Sequence, residues 1–141
     1  MKYFEEYVSE GIVKKQYPDI SRANFLIKES EKSYSSLMKI IKAMGIDDEN
    51  ANTIIKTAYD IILELIRAEM LKFGYSSSGA GAHEAEVSFT RNLKLSENEV
   101  QFLDRLRYFR NSIIYYGKLL DKEYAKSVVD FLNKVYPKLK K

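Results

Sequence analysis

The residues of this chain able to do chemistry are few, and most crowd into one stretch, FRNSIIYYG, residues 109–117. Arg110 is a permanent cation whose forked donors suit negative charge developing on an oxygen. Asn111 adds an amide that both donates and accepts. Tyr115 and Tyr116 carry phenols. An unperturbed phenol has a pKa of about 10 and keeps its proton at neutral pH, so Tyr115 reads as a hydrogen-bond donor or stacking surface and a poor general base. His83 is the only histidine, the one side chain whose ordinary pKa lies near neutrality. Its place after a Gly-Ala turn suits a helix entry more than catalysis. With no cysteine and one histidine, thiolate-held metals and multi-histidine sites within one chain are excluded. No Asp/Glu cluster suggests magnesium, so neither metal nor cofactor is expected.

Helical geometry sorts these side chains. At about 100° per residue, Arg107, Asn111 and Tyr115 fall on one side at four-residue steps, with Asp104 near Arg107. Arg110 sits elsewhere on the wheel, flanked by Leu103, Leu106, Ile113 and Ile114. A charge in that setting must snorkel, find a carboxylate on a neighbouring helix, or face a second chain, because burying it alone is costly. Arg110 and Tyr115 point about 140° apart in a strict α-helix. They serve one site only if the helix distorts near Gly117 or a second chain supplies one of them, which leans toward a symmetric dimer. Within one chain, packing or an interface is the expected role of Tyr115 and Tyr116.

The elements that must position this stretch are helical. Lys2 to about Gln16 reads as a first helix, ended at Tyr17-Pro18. Ser21 caps a second, running to about Met44 before Gly45. Asp47-Asp48 opens a long apolar helix through about Phe73, closed by Gly74. SSSGAGA reads as an interhelical loop, followed by a short helix from about His83 to Leu93. Ser96 and Glu99 form a capping box for the helix carrying the stretch, and Gly117 closes it. Asp121 caps a last helix, Lys122 to about Tyr136, stopped by Pro137. No segment reads as a strand. The expectation is an all-α fold in one domain, 1–141: an antiparallel up-and-down bundle of four to five main helices with an extra N-terminal helix.

Composition bounds the function. The chain carries 23 basic and 20 acidic residues, net +3, too balanced to announce nucleic-acid binding. No apolar run reaches the roughly 18 residues of a membrane span. MKYFEEYVSEG is acidic where a secretion signal is basic, so a cytoplasmic protein without membrane contact is expected. Richness in Lys, Glu, Ile and Tyr without Cys or Trp fits a thermophile-like composition.

The order of segments resembles a known family. ISRANFLIKESEKSY looks like the opening helix of HEPN domains, and AYDIILELIRAEMLKFGY like their second long helix. GAGAHEAEVSF resembles their loop and short third helix, where a histidine is common. LRYFRNSIIYYG resembles their signature helix, usually R-N-x-x-x-H or R-x-x-x-x-H. The resemblance spans roughly residues 20–137, leaving 1–17 as an N-terminal helical extension. It puts Arg110 at the signature arginine, Asn111 beside it, and Tyr115 at the histidine. In the family's ribonucleases, arginine and histidine from two protomers meet at a dimer interface and cleave RNA without a metal.

The loss of that histidine points away from catalysis. The resemblance then implies a homodimeric interaction or regulatory module, partner of a small nucleotidyltransferase in a toxin–antitoxin or defence-type system. The alternative is a metal-independent ribonuclease using Arg110, Asn111 and Tyr115, with Arg107, Asp104, Tyr116 and His83 as binding or interface residues. A second alternative is nucleotide binding, although SSSGAGA lacks the lysine and strand–loop–helix context of a P-loop.

Overall fold

A computed structural model describes residues 1–140; Lys141 lies outside the described residues. The fold is all-α apart from one small ribbon. Helix α1 spans Phe4–Ser9, α2 Ile20–Met44, α3 Ala51–Phe73, α4 Ala82–Phe89, α5 Glu97–Tyr116 and α6 Lys122–Leu139. A 3₁₀ turn, Thr90–Leu93, continues α4. Strands β1 (Val13–Lys15) and β2 (Tyr75–Ser77) pair antiparallel, with Val13 opposite Ser77.

Helix α3 is the axis of the bundle. Ile54, Ile55, Tyr59, Ile61, Ile62, Leu65 and Ile66 are all buried, so its apolar surface runs most of the way round the helix. Such a helix must be covered by neighbours on several sides. Helices α2, α4, α5 and α6 supply that cover. The main apolar core runs from Phe4 through Phe89 and Leu103 to Leu139, with a small second cluster of Ala23, Ala68 and Leu71 between α2 and α3.

Helix α5, which carries FRNSIIYYG, is anchored at both ends. At its start the Ser96 hydroxyl accepts from the Glu99 amide at 3.2 Å, and the Glu99 carboxylate accepts from the Ser96 amide at 2.8 Å. Glu99 also takes Lys138 Nζ from α6 at 2.8 Å. Burial alone would push this carboxyl up, but the bonds from Lys138 and Ser96 outweigh it and hold its pKa below the usual value. At the other end, Asn52 of α3 clamps the connection to α6. Its amide donates to the Lys118 carbonyl at 3.0 Å, and its oxygen accepts the Leu120 amide at 2.9 Å. The exit of α5 is thereby tied to the first turn of α3.

Four boundaries differ from the sequence expectation, each for a physical reason. The N-terminal segment is not a helix to Gln16: it turns at Gly11, φ +78°, and residues 13–15 become β1. The partner strand lies at the start of the segment expected to be plain loop. This pairing joins residues some 60 positions apart, which local pattern cannot register. Asp19, not Ser21, caps α2, its carboxylate accepting the Arg22 amide at 3.0 Å. Helix α3 starts at Ala51, because Asp47 and Asn50 spend their side chains on each other's backbone amides in a tight turn. Finally, α6 runs through Pro137 to Leu139. A proline in the last turn forfeits one backbone bond, while burial of Leu139 and the stacking of Tyr136 on Tyr34 at 4.0 Å keep that turn in place.

Candidate functional site

Arg110 points from α5 toward α3. Its Nη2 donates to Asp60 Oδ1 at 3.2 Å, and its guanidinium lies 5.6 Å from the centre of the Tyr59 ring. The side chain is 18% exposed. Of the fates open to a cation on an apolar stripe, this is a carboxylate on a neighbouring helix. The pairing is incomplete, because Arg110 Nε is buried with no acceptor.

Two other buried polar side-chain atoms share that condition, Tyr59 Oη and His83 Nδ1. Together the three complete the set among the described residues, and they lie in one neighbourhood. Tyr59 and His83 both sit within the fields of Arg67, Arg107, Arg110 and Glu86. Burial pushes the Tyr59 phenol well above its ordinary pKa, so it stays protonated. Burial lowers the pKa of His83, and the three arginines add to that fall against the opposing pull of Glu86. The imidazole is therefore neutral at neutral pH. His83 is not the cap of α4. Gly81 holds that position, and His83 is the second residue of the helix.

Arg110, Tyr115 and His83 line one open depression of about 670 Å³, a size that accepts a small molecule or a few side chains. Its floor is a polar stripe on α3, Thr57, Asp60, Glu64 and Arg67, spaced so that all four share a face. Glu64 is half-buried, and burial together with Asp60 and Glu29 raises its pKa. The wheel separates Arg110 from Tyr115 on one chain, yet both reach this depression. The last turn of α5 is wide: the amides of Gly117 and Lys118 both donate to the Ser112 carbonyl, a wider closure than the four-residue step of an α-helix.

Arg107, Asp104, Asn111 and Tyr116 do not line this depression. Arg107 Nε donates to Asp104 Oδ1 at 3.0 Å, and its Nη1 stands 4.0 Å from Glu84 Oε1 of α4. Asn111 is half-buried on α5. Tyr115 and Tyr116 do not pack within the chain, being 71% and 85% exposed. The residues that sequence reasoning passed over are Asp60, Glu64, Arg67 and Glu86. Glu86 is 3% exposed and is held by Arg67, whose Nε and Nη2 both donate to it. A signal existed, since Asp60, Glu64 and Arg67 recur at four- and three-residue steps along α3. Among the described residues no group of three or more His, Asp or Glu side chains converges as a metal site would. No helix among the described residues is long and apolar enough to cross a membrane.

No family model, curated protein or solved structure matches this chain.

Proposed function

We propose that this chain is a HEPN-like interaction module that works as a pair of identical chains, regulatory and not hydrolytic. In this reading it is the partner of a small nucleotidyltransferase in a toxin–antitoxin or defence-type system. The carrying observation is where exposed apolar side chains gather. Ile114, Tyr115, Tyr116 and Leu119 follow one another at the exit of α5, the last two 85% and 86% exposed, with Tyr108 one stripe earlier. Apolar surface concentrated at one end of a helix marks an interaction face. Tyrosines are favoured anchors there, since they bury a large ring and keep a polar tip. The expected result is a dimer by sedimentation at micromolar concentration. Tyr116→Asp with Leu119→Asp should give a monomer with an unchanged thermal melt. A wild-type protein that stays monomeric up to millimolar concentration, and retains no nucleotidyltransferase encoded beside it, would defeat the proposal.

A second reading, metal-independent RNA cleavage, draws support from one feature: Arg110 and Tyr115 share a depression. Arg110 would stabilise charge at the scissile phosphate, with Asn111 beside it. Tyr115 would hold the 2′-hydroxyl or protonate the leaving oxygen. It ranks second because Arg110 is engaged by Asp60 and a phenol is a weak base at pH 7. The expected signature is cleavage of structured RNA in EDTA that Arg110→Ala abolishes. Equal cleavage by wild type and variant, or none by either, removes this reading.

A further inference from the structure

We infer that β2 takes up a third strand: an extended, uncharged segment of another protein lies beside it and pairs with the main chain of Tyr75 and Ser77. The segment's place is a second cavity of about 660 Å³, among the start of α2, the end of α3, β2 and the start of α4. No residue of α5 lines it, and it shares only Arg67 and His83 with the depression under Arg110.

The register of the ribbon fixes which main-chain groups are free. The Gln16 amide donates to the Gly74 carbonyl at 2.8 Å, and the Ser78 amide to the Ile12 carbonyl at 3.2 Å. Lys14 and Ser76 stand opposite each other midway between these pairs. In an antiparallel ladder, bonded pairs alternate with pairs whose N–H and C=O groups turn away from the partner strand. Val13, Lys15, Tyr75 and Ser77 fall on those alternate positions. The amides and carbonyls of Tyr75 and Ser77 therefore point away from β1, and no described main-chain group outside the ribbon bonds to them.

The cavity lies on that side. Tyr75, Ser76, Ser77 and Ser78 all line it, whereas β1 contributes nothing and only the residue after it, Gln16, touches it. Consecutive strand residues send their side chains to opposite faces, so a cavity that meets all of them runs along an edge of the strand. The opposite edge of the ribbon is covered. Helix α1 packs on β1, and Lys14 and Lys15 are exposed beside it, charges that discourage strand pairing.

The lining also selects the occupant. Asp19 and Glu86 balance Arg22 and Arg67, so the walls favour neither sign of charge. The serines, Gly79 and Ala82 are small, which lets another main chain approach to the ~4.8 Å of paired strands. Free donors and acceptors two residues apart on an edge match a second extended backbone, which offers the complementary groups at the same spacing. Leu26, Met70 and Leu71 give one apolar side chain of that segment a contact.

Fluorescence anisotropy on the intact protein tests this with labelled, end-capped peptides of the form Thr-X-Thr-X-Thr, where X is Ala, Val or Leu. At least one should bind saturably at one site. N-methylation of the best binder at alternate residues should abolish binding in one register and spare it in the other, because only every second amide of an added strand meets β2. Ser77→Pro should weaken that peptide about tenfold or more, since it removes an outward donor and sets a ring at the edge. Its melt should stay near wild type, because the lost N–H takes no part in the ladder. In the wild type, bound peptide should slow hydrogen exchange of the Tyr75 and Ser77 amides, a readout independent of any variant. No saturable binding by any of the three peptides up to millimolar concentration, equal effects of the two N-methyl registers, wild-type affinity in Ser77→Pro, or unchanged exchange at Tyr75 and Ser77 would each overturn the inference. None of these outcomes bears on pairing through α5, which sedimentation decides separately.

Discussion

Replacing Arg67 with methionine should cost about 3 kcal/mol of folding stability, the larger half of a lopsided pair. Glu86 is 3% exposed, while the Arg67 side chain is 43% exposed. Removing the arginine strands a carboxylate that water cannot reach. Removing the carboxylate leaves a guanidinium on a long stem that can turn to solvent, so Glu86→Gln should cost clearly less. Arg67→Met with Glu86→Gln together should recover most of the loss, because the stranded charge and not the missing attraction dominates. Urea midpoints at constant slope measure all three variants. Equal costs for the two single variants would mean that the asymmetry of burial does not govern the pair. The outcome bears on function as well, since Arg67 borders both cavities.

Gly74→Ala should be nearly as damaging, about 3 kcal/mol, and a matched control separates its two causes. Gly74 has φ +81°, and a Cβ built there would stand 2.5 Å from the Gln16 carbonyl oxygen. That carbonyl is main chain, so it cannot swing aside as a flexible side chain would. The same strands are linked next to it by the Gln16 amide donating to the Gly74 carbonyl at 2.8 Å. Gly117 has φ +63° with open space where its Cβ would go. Gly117→Ala therefore meets only the left-handed backbone penalty, about 1 kcal/mol. The difference between the two denaturation midpoints reads the close approach alone. Hydrogen exchange should further show β1 and β2 losing protection in Gly74→Ala while α3 keeps it. Similar midpoints for both variants would show that no close approach constrains the ribbon.

Much of the scaffold was legible in local pattern. The capping box at Ser96, the closing glycines at 74 and 117, and the cap at Asp121 stand where their residue types put them. Each acts within a few residues of itself, so a short window contains the physics. The same holds for the apolar run of α3, which demands cover whatever its neighbours are. The two-stranded ribbon was not legible. Val13-Lys14-Lys15 is short and barely patterned, and what makes it a strand is Tyr75–Ser77, on the far side of α2 and α3 in the chain.

The candidate site divides along the same line. That Arg110 needs a partner follows from its neighbours on the wheel, because a charge among leucines and isoleucines cannot be left alone. Which carboxylate answers is a matter of how α5 docks on α3, and Asp60 could be chosen only once the two helices met. The meeting of Tyr115 with Arg110 at one depression arises from packing in the same way, and the wide end of α5, with two amides on the Ser112 carbonyl, is likewise not periodic. Helix periodicity carries no information about such an end. Residue types and spacing thus showed that Arg110 needs a partner and which helix carries it, while the polar stripe on α3 went unread. Partners, burial and the depressions they share arise between elements distant in the chain, where packing and not periodicity sets the geometry.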